Sequence, residues 1–138
     1  MENIFFEKSD RTPSVTTDYE RGILEVCGRS MPEDAITFYT RVSHWIDDFA
    51  DQPKPKQRLT VSFMLEYYNT SSSKCILDIL KSLGDLKRRG WPIEVNWVYM
   101  EEEDDMQANG TELQTMLDYH LNIVPYDKKK VMRLSEEQ

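Results

Sequence analysis

Hydrophobic positions in this chain recur with two different periods, and the switches between them mark its elements. Alternation with a period of two over residues 4–7, 14–19 and 22–28, the last with Leu24 and Val26 on one face, predicts three short strands. Glu20-Arg21-Gly22, between the second and third, is short enough for a hairpin turn. A three-and-four spacing then takes over. Ala35, Phe38, Tyr39, Val42, Trp45, Ile46 and Phe49 form one stripe of a helix whose other side carries Arg41, Asp47 and Asp48. Ahead of it, Ser30, Pro32 and Glu33 combine a cap, an early-turn proline and a carboxylate at the capping-box offset. The two prolines of "DQPKPKQ" end the helix in a short linker.

The longest strand follows. Leu59, Val61, Phe63, Leu65 and Tyr67 alternate with Thr60, Ser62, Met64, Glu66 and Tyr68, giving one apolar and one mixed face. Residues 71–89 predict a second helix buried through Ile76, Ile79, Leu80, Leu83 and Leu86, with Lys87, Arg88 and Arg89 suiting its last turn and Gly90 with Pro92 stopping it. "IEVNWVYM" alternates as a further strand. The acidic run over 101–105 opens a weaker third helix through Leu113, Met116, Leu117 and His120, interrupted at Asn109-Gly110, and "NIVPY" is a last short strand. The order β-β-β-α-β-α-β-α-β predicts a two-layer α/β sandwich, a mixed sheet with helices mainly on one face. A single domain is expected over residues 1–125, with 126–138 as a mobile, mixed-charge tail.

Composition narrows the partners. A net charge of −8 and a pI near 4.8 repel phosphate backbones and anionic lipid, so neither nucleic acid nor direct membrane insertion is expected. The start "MENIFFEKSDR" lacks the basic lead and apolar core of a signal peptide, and no apolar run approaches the roughly 20 residues that span a bilayer, which points to the cytoplasm. Cys27 and Cys75 read as packed thiols.

Catalytic chemistry is hard to find. His44 and His120 read as helix residues without a Cys or carboxylate at metal-ligand spacing, the five glycines form no phosphate loop, and "EEEDD" lacks the alternating ligands and turn glycine of a calcium loop. No catalytic residue, metal site or cofactor is therefore expected.

One stretch stands apart. "YYNTSSSKCILDIL" runs four consecutive hydroxyl residues, Thr70 to Ser73, from an apolar strand into an apolar helix, where one cap would suffice. Either Asn69 or Thr70 caps the helix and the rest fill its first turn, or one hydroxyl accepts a phosphate. A phosphate at a helix start meets free backbone N–H groups and the positive end of the dipole, so it can be accommodated without unfolding.

The segments "GRSMPEDAITFY", "YYNTSSSKCILDIL" and "RGWPIEVNWVY" together resemble the SiaC family of bacterial regulatory phosphoproteins. The resemblance implies a STAS-like fold, like that of anti-sigma-factor antagonists, and a non-enzymatic signalling switch. It further implies a serine/threonine kinase (SiaB-like) that phosphorylates the "NTSS" turn, a PP2C-type phosphatase (SiaA-like) that reverses it, and a diguanylate cyclase (SiaD-like) bound and activated by the unphosphorylated form, with cyclic di-GMP and biofilm control following. Carried onto this chain, the acceptor is Thr70, with Ser71 and Ser72 as alternatives. The partner-binding surface would comprise Tyr68, Asn69, Thr70, Ser71, Ser72, Lys74, Asp78 and Lys81, with Tyr67 as a further aromatic anchor. Competing readings are a constitutive STAS-like adaptor, an anti-sigma-antagonist-type partner-switching protein with a different target, and a small-molecule-binding domain or an enzyme using the serine cluster.

Overall fold

The computed structural model describes residues 1–53, 55–102 and 104–126. Their elements run β1 (Phe5–Phe6), β2 (Ser14–Asp18), β3 (Ile23–Ser30), α1 (Ala35–Ala50), β4 (Leu59–Tyr68), α2 (Thr70–Arg88), β5 (Ile93–Met100), α3 (Asp104–Thr115) and β6 (Asn122–Tyr126). The strands lie side by side in chain order, forming one six-stranded sheet. β1, β2 and β3 pair antiparallel, whereas β4, β5 and β6 each lie parallel to the strand before them.

A parallel neighbour requires a crossover, and here each crossover is a helix. Right-handed crossovers stepping in one direction bring their helices to the same face of the sheet. That face is the core: Leu24, Val26, Leu59, Val61, Phe63, Leu65, Ile93, Val95 and Trp97 pack beneath the buried stripes of α1 and α2 in one cluster that also takes in Met106 and Leu113 of α3. Each fully buried Leu or Phe stabilises the fold by about 1.5–3 kcal/mol relative to an exposed one. The opposite face is polar in places, and there Asn122 Nδ2 donates to Asn96 Oδ1 at 3.0 Å while Asn96 Nδ2 donates to Ser62 Oγ at 3.1 Å. The expected architecture, a mixed sheet with helices on one face, is the one observed.

Several local expectations change. Ser30 does not cap α1. It is the last residue of β3, fully buried, and Asp34 caps instead, accepting from the Thr37 backbone N–H at 3.1 Å and from the Thr37 hydroxyl at 2.6 Å. The S-x-x-E spacing lost because the parallel ladder carries β3 on to Ser30 opposite Tyr68. Helix α3 passes through Asn109-Gly110 without a break. A Cβ at Gly110 would lie 2.4 Å from Trp97 Cδ1, so the glycine serves close packing. The helix ends at Thr115, which leaves Met116, Leu117 and His120 beyond it; His120 is an exposed loop residue, and only His44 sits on a helix. The Gln114 side chain closes that loop, donating to the Tyr119 carbonyl at 2.8 Å and accepting from the Leu121 N–H at 2.7 Å.

The most consequential change lies in β4. Opposite Gly28 and Arg29 of β3 stand Leu65 and Tyr67, so Glu66 is an extra residue, a bulge that inverts the side-chain alternation. Tyr67, expected on the apolar face, is 44% exposed with the Arg29 guanidinium 5.5 Å above its ring. Tyr68, expected on the mixed face, packs edge-on against Trp97 at 5.9 Å between ring centroids. Strand β6 includes Tyr126, one residue past the expected domain boundary; the rest of the expected tail, like Glu103 of the acidic run, lies outside the described residues.

Candidate functional site

Strand β4 delivers its last residue, Tyr68, to the C-terminal edge of the parallel strands, where α/β folds place their binding sites. Asn69 follows in an extended conformation, and its side-chain oxygen accepts from the Ser72 N–H at 2.9 Å. Asn69 is therefore the cap, and Thr70 is the first helical residue of α2, one earlier than the periodicity predicts. The four hydroxyls then divide into different environments.

Ser72 is fully buried. Its hydroxyl donates to the Ser30 carbonyl at 3.2 Å and accepts from the Ser30 hydroxyl at 2.8 Å, while Ser30 Oγ lies 2.6 Å from the Tyr39 hydroxyl. The Asn69 N–H also donates to the Ser30 carbonyl, at 2.9 Å. The end of β3, the first turn of α2 and α1 are thus joined by one buried hydroxyl network. Burial pushes the Tyr39 phenol up to about 12, against a smaller opposing effect of the Ser30 hydrogen bond. Ser73 is half-buried, and its hydroxyl donates back to the Thr70 carbonyl at 3.1 Å. Thr70 and Ser71 are exposed, and among the described residues their hydroxyls hydrogen-bond to nothing.

Thr70 lines a cleft of about 370 Å³ between α2 and α3. Tyr68, Asn69 and Lys74 join it from the sequence-predicted set, and Asn109, Glu112 and Met116 face them. Burial raises the pKa of the Tyr68 phenol, with the Glu112 carboxylate adding to it. The Cys75 thiol, half-buried on α2, is raised by burial and then by Asp78 and Asp34. A second hollow holds Glu66, Tyr67 and Asp105 and shares Tyr68 and Asn109 with the first, so the two adjoin. Asp78 is exposed farther along α2, and Lys81 lines a separate hollow near Asp85, Arg88 and Met116. Asn109 and Glu112 of α3, and Met116 just beyond it, were not expected at this site, because nothing in spacing tells which face of α3 meets α2.

Among the described residues no group of three or more His, Cys, Asp or Glu side chains comes together to hold a metal, and no helix is long and apolar enough to cross a membrane. The model of the SiaC family of regulatory phosphoproteins matches residues 6–126. The chain belongs to the SiaC family. An uncharacterized protein of Pseudomonas aeruginosa (strain UCBPP-PA14) is 27% identical over 129 residues, covering 93% of this chain and all of the relative. The solved structure of SiaC of Pseudomonas aeruginosa superimposes with a TM-score of 0.80 at 25% identity, over 91% of this chain and 100% of that one. A chain in the crystal structure of the diguanylate cyclase SiaD in complex with its activator SiaC, from the same organism, gives a TM-score of 0.82 at 24% identity, over 89% of this chain and 99% of that one, and so shares the fold.

Proposed function

We propose that this SiaC-family protein is a non-enzymatic cytoplasmic switch that carries its phosphate on Thr70 and binds and activates a diguanylate cyclase when unphosphorylated. The observation that carries this reading is the position of Thr70: it is exposed in the first turn of α2, while Asn69 already provides the cap. A kinase can reach that hydroxyl without disturbing a hydrogen bond of the fold. Transfer of the γ-phosphoryl of ATP to Thr70 Oγ1 releases ADP and the hydroxyl proton, and a PP2C-type phosphatase returns the alcohol and inorganic phosphate by hydrolysis. Ser71 is the nearest competitor for the phosphate. Ser72 is a poor acceptor, being buried and hydrogen-bonded on both sides.

The energetics favour control of binding over control of folding. The dipole at an exposed helix start is worth about 0.3–1 kcal/mol, small against a whole domain. A phosphate adds about −1.5 to −2 charges, and burying it against a partner without a matching cation costs several kcal/mol. Since each 1.4 kcal/mol is about tenfold in affinity, a modified Thr70 would lose a partner that seats on this turn. The solved structural relative named as an activator of the diguanylate cyclase SiaD supports a cyclase as that partner.

Phosphopeptide mapping tests the acceptor on the tryptic fragment Leu59–Lys74, which contains the whole hydroxyl cluster. The expected result is phosphate on Thr70 in protein from its native cells. A fragment that stays unmodified across growth conditions and after incubation with the kinase returns the cluster to a capping role. Binding to the cyclase supplies the second arm: Thr70→Ala should bind like the unmodified protein, whereas Thr70→Asp should bind at least tenfold more weakly. Equal affinities of Thr70→Ala, Thr70→Asp and the phosphorylated protein would sink the switch.

A further inference from the structure

The cleft beside Thr70 holds a charge arrangement that a phosphate would upset. Lys74 follows Thr70 by four residues on α2, so the two side chains share a face, and Glu112 faces them from α3. Among the described residues neither Lys74 nor Glu112 belongs to an ion pair, so in the unmodified protein the cleft contains one cation and one carboxylate, each uncommitted. The Tyr68 phenol of β4 also lines the cleft, the adjoining hollow adds the carboxylates of Glu66 on β4 and Asp105 on α3, and farther along α2 the Cys75 thiol is influenced by Asp78 and by Asp34 at the start of α1.

Helix α3 is seated mainly on the sheet. Met106 and Leu113 are buried, the Trp97 indole N–H donates to the Met106 carbonyl at 2.8 Å, and Gly110 lies against the same indole. α1 and α2 share the core through long apolar stripes, whereas an open cleft separates much of α3 from α2. A force acting across that cleft would therefore fall on a short helix with few anchors.

We propose that a phosphate on Thr70 captures Lys74 and repels Glu112, so that phosphorylation loosens α3 from its seat on Trp97. The inference rests on Thr70 as the acceptor. With the phosphate in place, the charge of this trio of side chains goes from zero to about −1.5 to −2, and Lys74, the cation lining the cleft, is drawn to the α2 side. The modification is then read in two places, at the turn itself and on the surface formed by α3, and the second hollow beside Tyr67 and Asp105 changes with it.

The test installs phosphothreonine at position 70 during translation, in the full chain, in wild-type, Glu112→Gln and Lys74→Met backgrounds. Backbone amide exchange over residues 106–115 is expected to accelerate about fivefold on phosphorylation, equivalent to ~1 kcal/mol, and to return close to the unmodified rate in Glu112→Gln. Phosphorus-31 titration gives an independent reading. Relative to wild type, the phosphate midpoint should fall by about 0.5 pH unit in Glu112→Gln, which removes a like charge, and rise by a similar amount in Lys74→Met, which removes the cation. Unchanged α3 exchange on phosphorylation, acceleration that persists undiminished in Glu112→Gln, or equal midpoints in all three backgrounds would overturn the coupling. Because translation supplies the phosphate, failure of any kinase to modify Thr70 would refute the acceptor and leave these outcomes readable.

Discussion

Helices α1 and α2 begin side by side at the same edge of the sheet, each held by one side-chain cap, but their first turns use their hydroxyls differently. At α1 the cap is an acid, Asp34, and the nearby hydroxyl of Thr37 is consumed in bonding to it. At α2 the cap is a neutral amide, Asn69, and Thr70 and Ser71 are left exposed. A phosphate in the first turn of α1 would stand beside a carboxylate. One on Thr70 would stand beside an uncharged cap, with Lys74 one turn away. The comparison separates two jobs that look alike in sequence: capping needs one acceptor oxygen, and presenting an acceptor hydroxyl needs that oxygen to come from a different residue.

The largest expected effect contrasts two hydroxyls within the α2 turn. Ser72→Asp would bury a carboxylate in the network with Ser30 and Tyr39, where no cation compensates it among the residues that network joins. It should cost about 3–5 kcal/mol in urea denaturation. Thr70→Asp, exposed and in the favourable field of the helix start, should leave stability within about 1 kcal/mol of wild type and on the stabilising side. Comparable losses from the two substitutions would mean that the division of the cluster into a buried and a presented hydroxyl is wrong.

Next in size are the caps themselves. Asn69→Ala should cost about 1 kcal/mol, and Asp34→Ala should also destabilise. Acid distinguishes them. The Thr37 side-chain and backbone hydrogen bonds hold the Asp34 carboxyl below its ordinary 3.8, so its contribution is present above that value and disappears as pH falls through the lowered folded one. The gap between wild type and Asp34→Ala should therefore close in strong acid, while the gap for Asn69→Ala, which has no proton to gain there, persists. Parallel acid profiles for the two variants would remove the charge distinction between the helix starts.

Tyr39→Phe tests what ties the two starts together, since Tyr39 is on α1 and reaches α2 through Ser30. A loss of about 1 kcal/mol is expected at neutral pH. The phenol's pKa is raised above its ordinary 10.0 to about 12 by burial, so the stability linked to its neutral form is complete below pH 10.0 and is lost as pH rises through about 12. Denaturation of the phenylalanine variant should lack that alkaline decline. Matching alkaline profiles would detach Tyr39 from the network.

These regions also mark how far the sequence could be read. Strand and helix periods located the central elements because one face of them is buried, as in Leu59 to Leu65 and in the α2 stripe from Ile76 to Leu86. Period counting failed where one residue broke the rhythm: the Glu66 bulge exchanged the faces of Tyr67 and Tyr68, and a bulge is set by pairing with Gly28 and Arg29, which a single strand's pattern does not record. Ser30 and Glu33 imitated a capping box because spacing cannot tell an exposed serine from one buried by a neighbour 42 residues away. Gly110 read as an interruption because its partner, Trp97, is distant in sequence. The Thr70 turn was legible from its composition and from family resemblance. The α3 half of the cleft was not, since Asn109, Glu112 and Met116 acquire meaning only from how α3 lies against α2.

The smallest expected effect is the one on which the comparison depends most. Thr70→Ala should change folding stability by less than about 0.5 kcal/mol in either direction, because the hydroxyl is exposed and bonds to nothing among the described residues. Alanine also has the higher helix propensity, which offsets any minor loss of packing by the threonine methyl. If Thr70 were instead the cap, the same substitution would cost about 1 kcal/mol and Asn69→Ala would cost little. The two losses measured together therefore assign the cap by their ratio. A stability-neutral Thr70→Ala beside a destabilising Asn69→Ala leaves the threonine hydroxyl without a structural role in α2, and so free for the phosphate proposed for it.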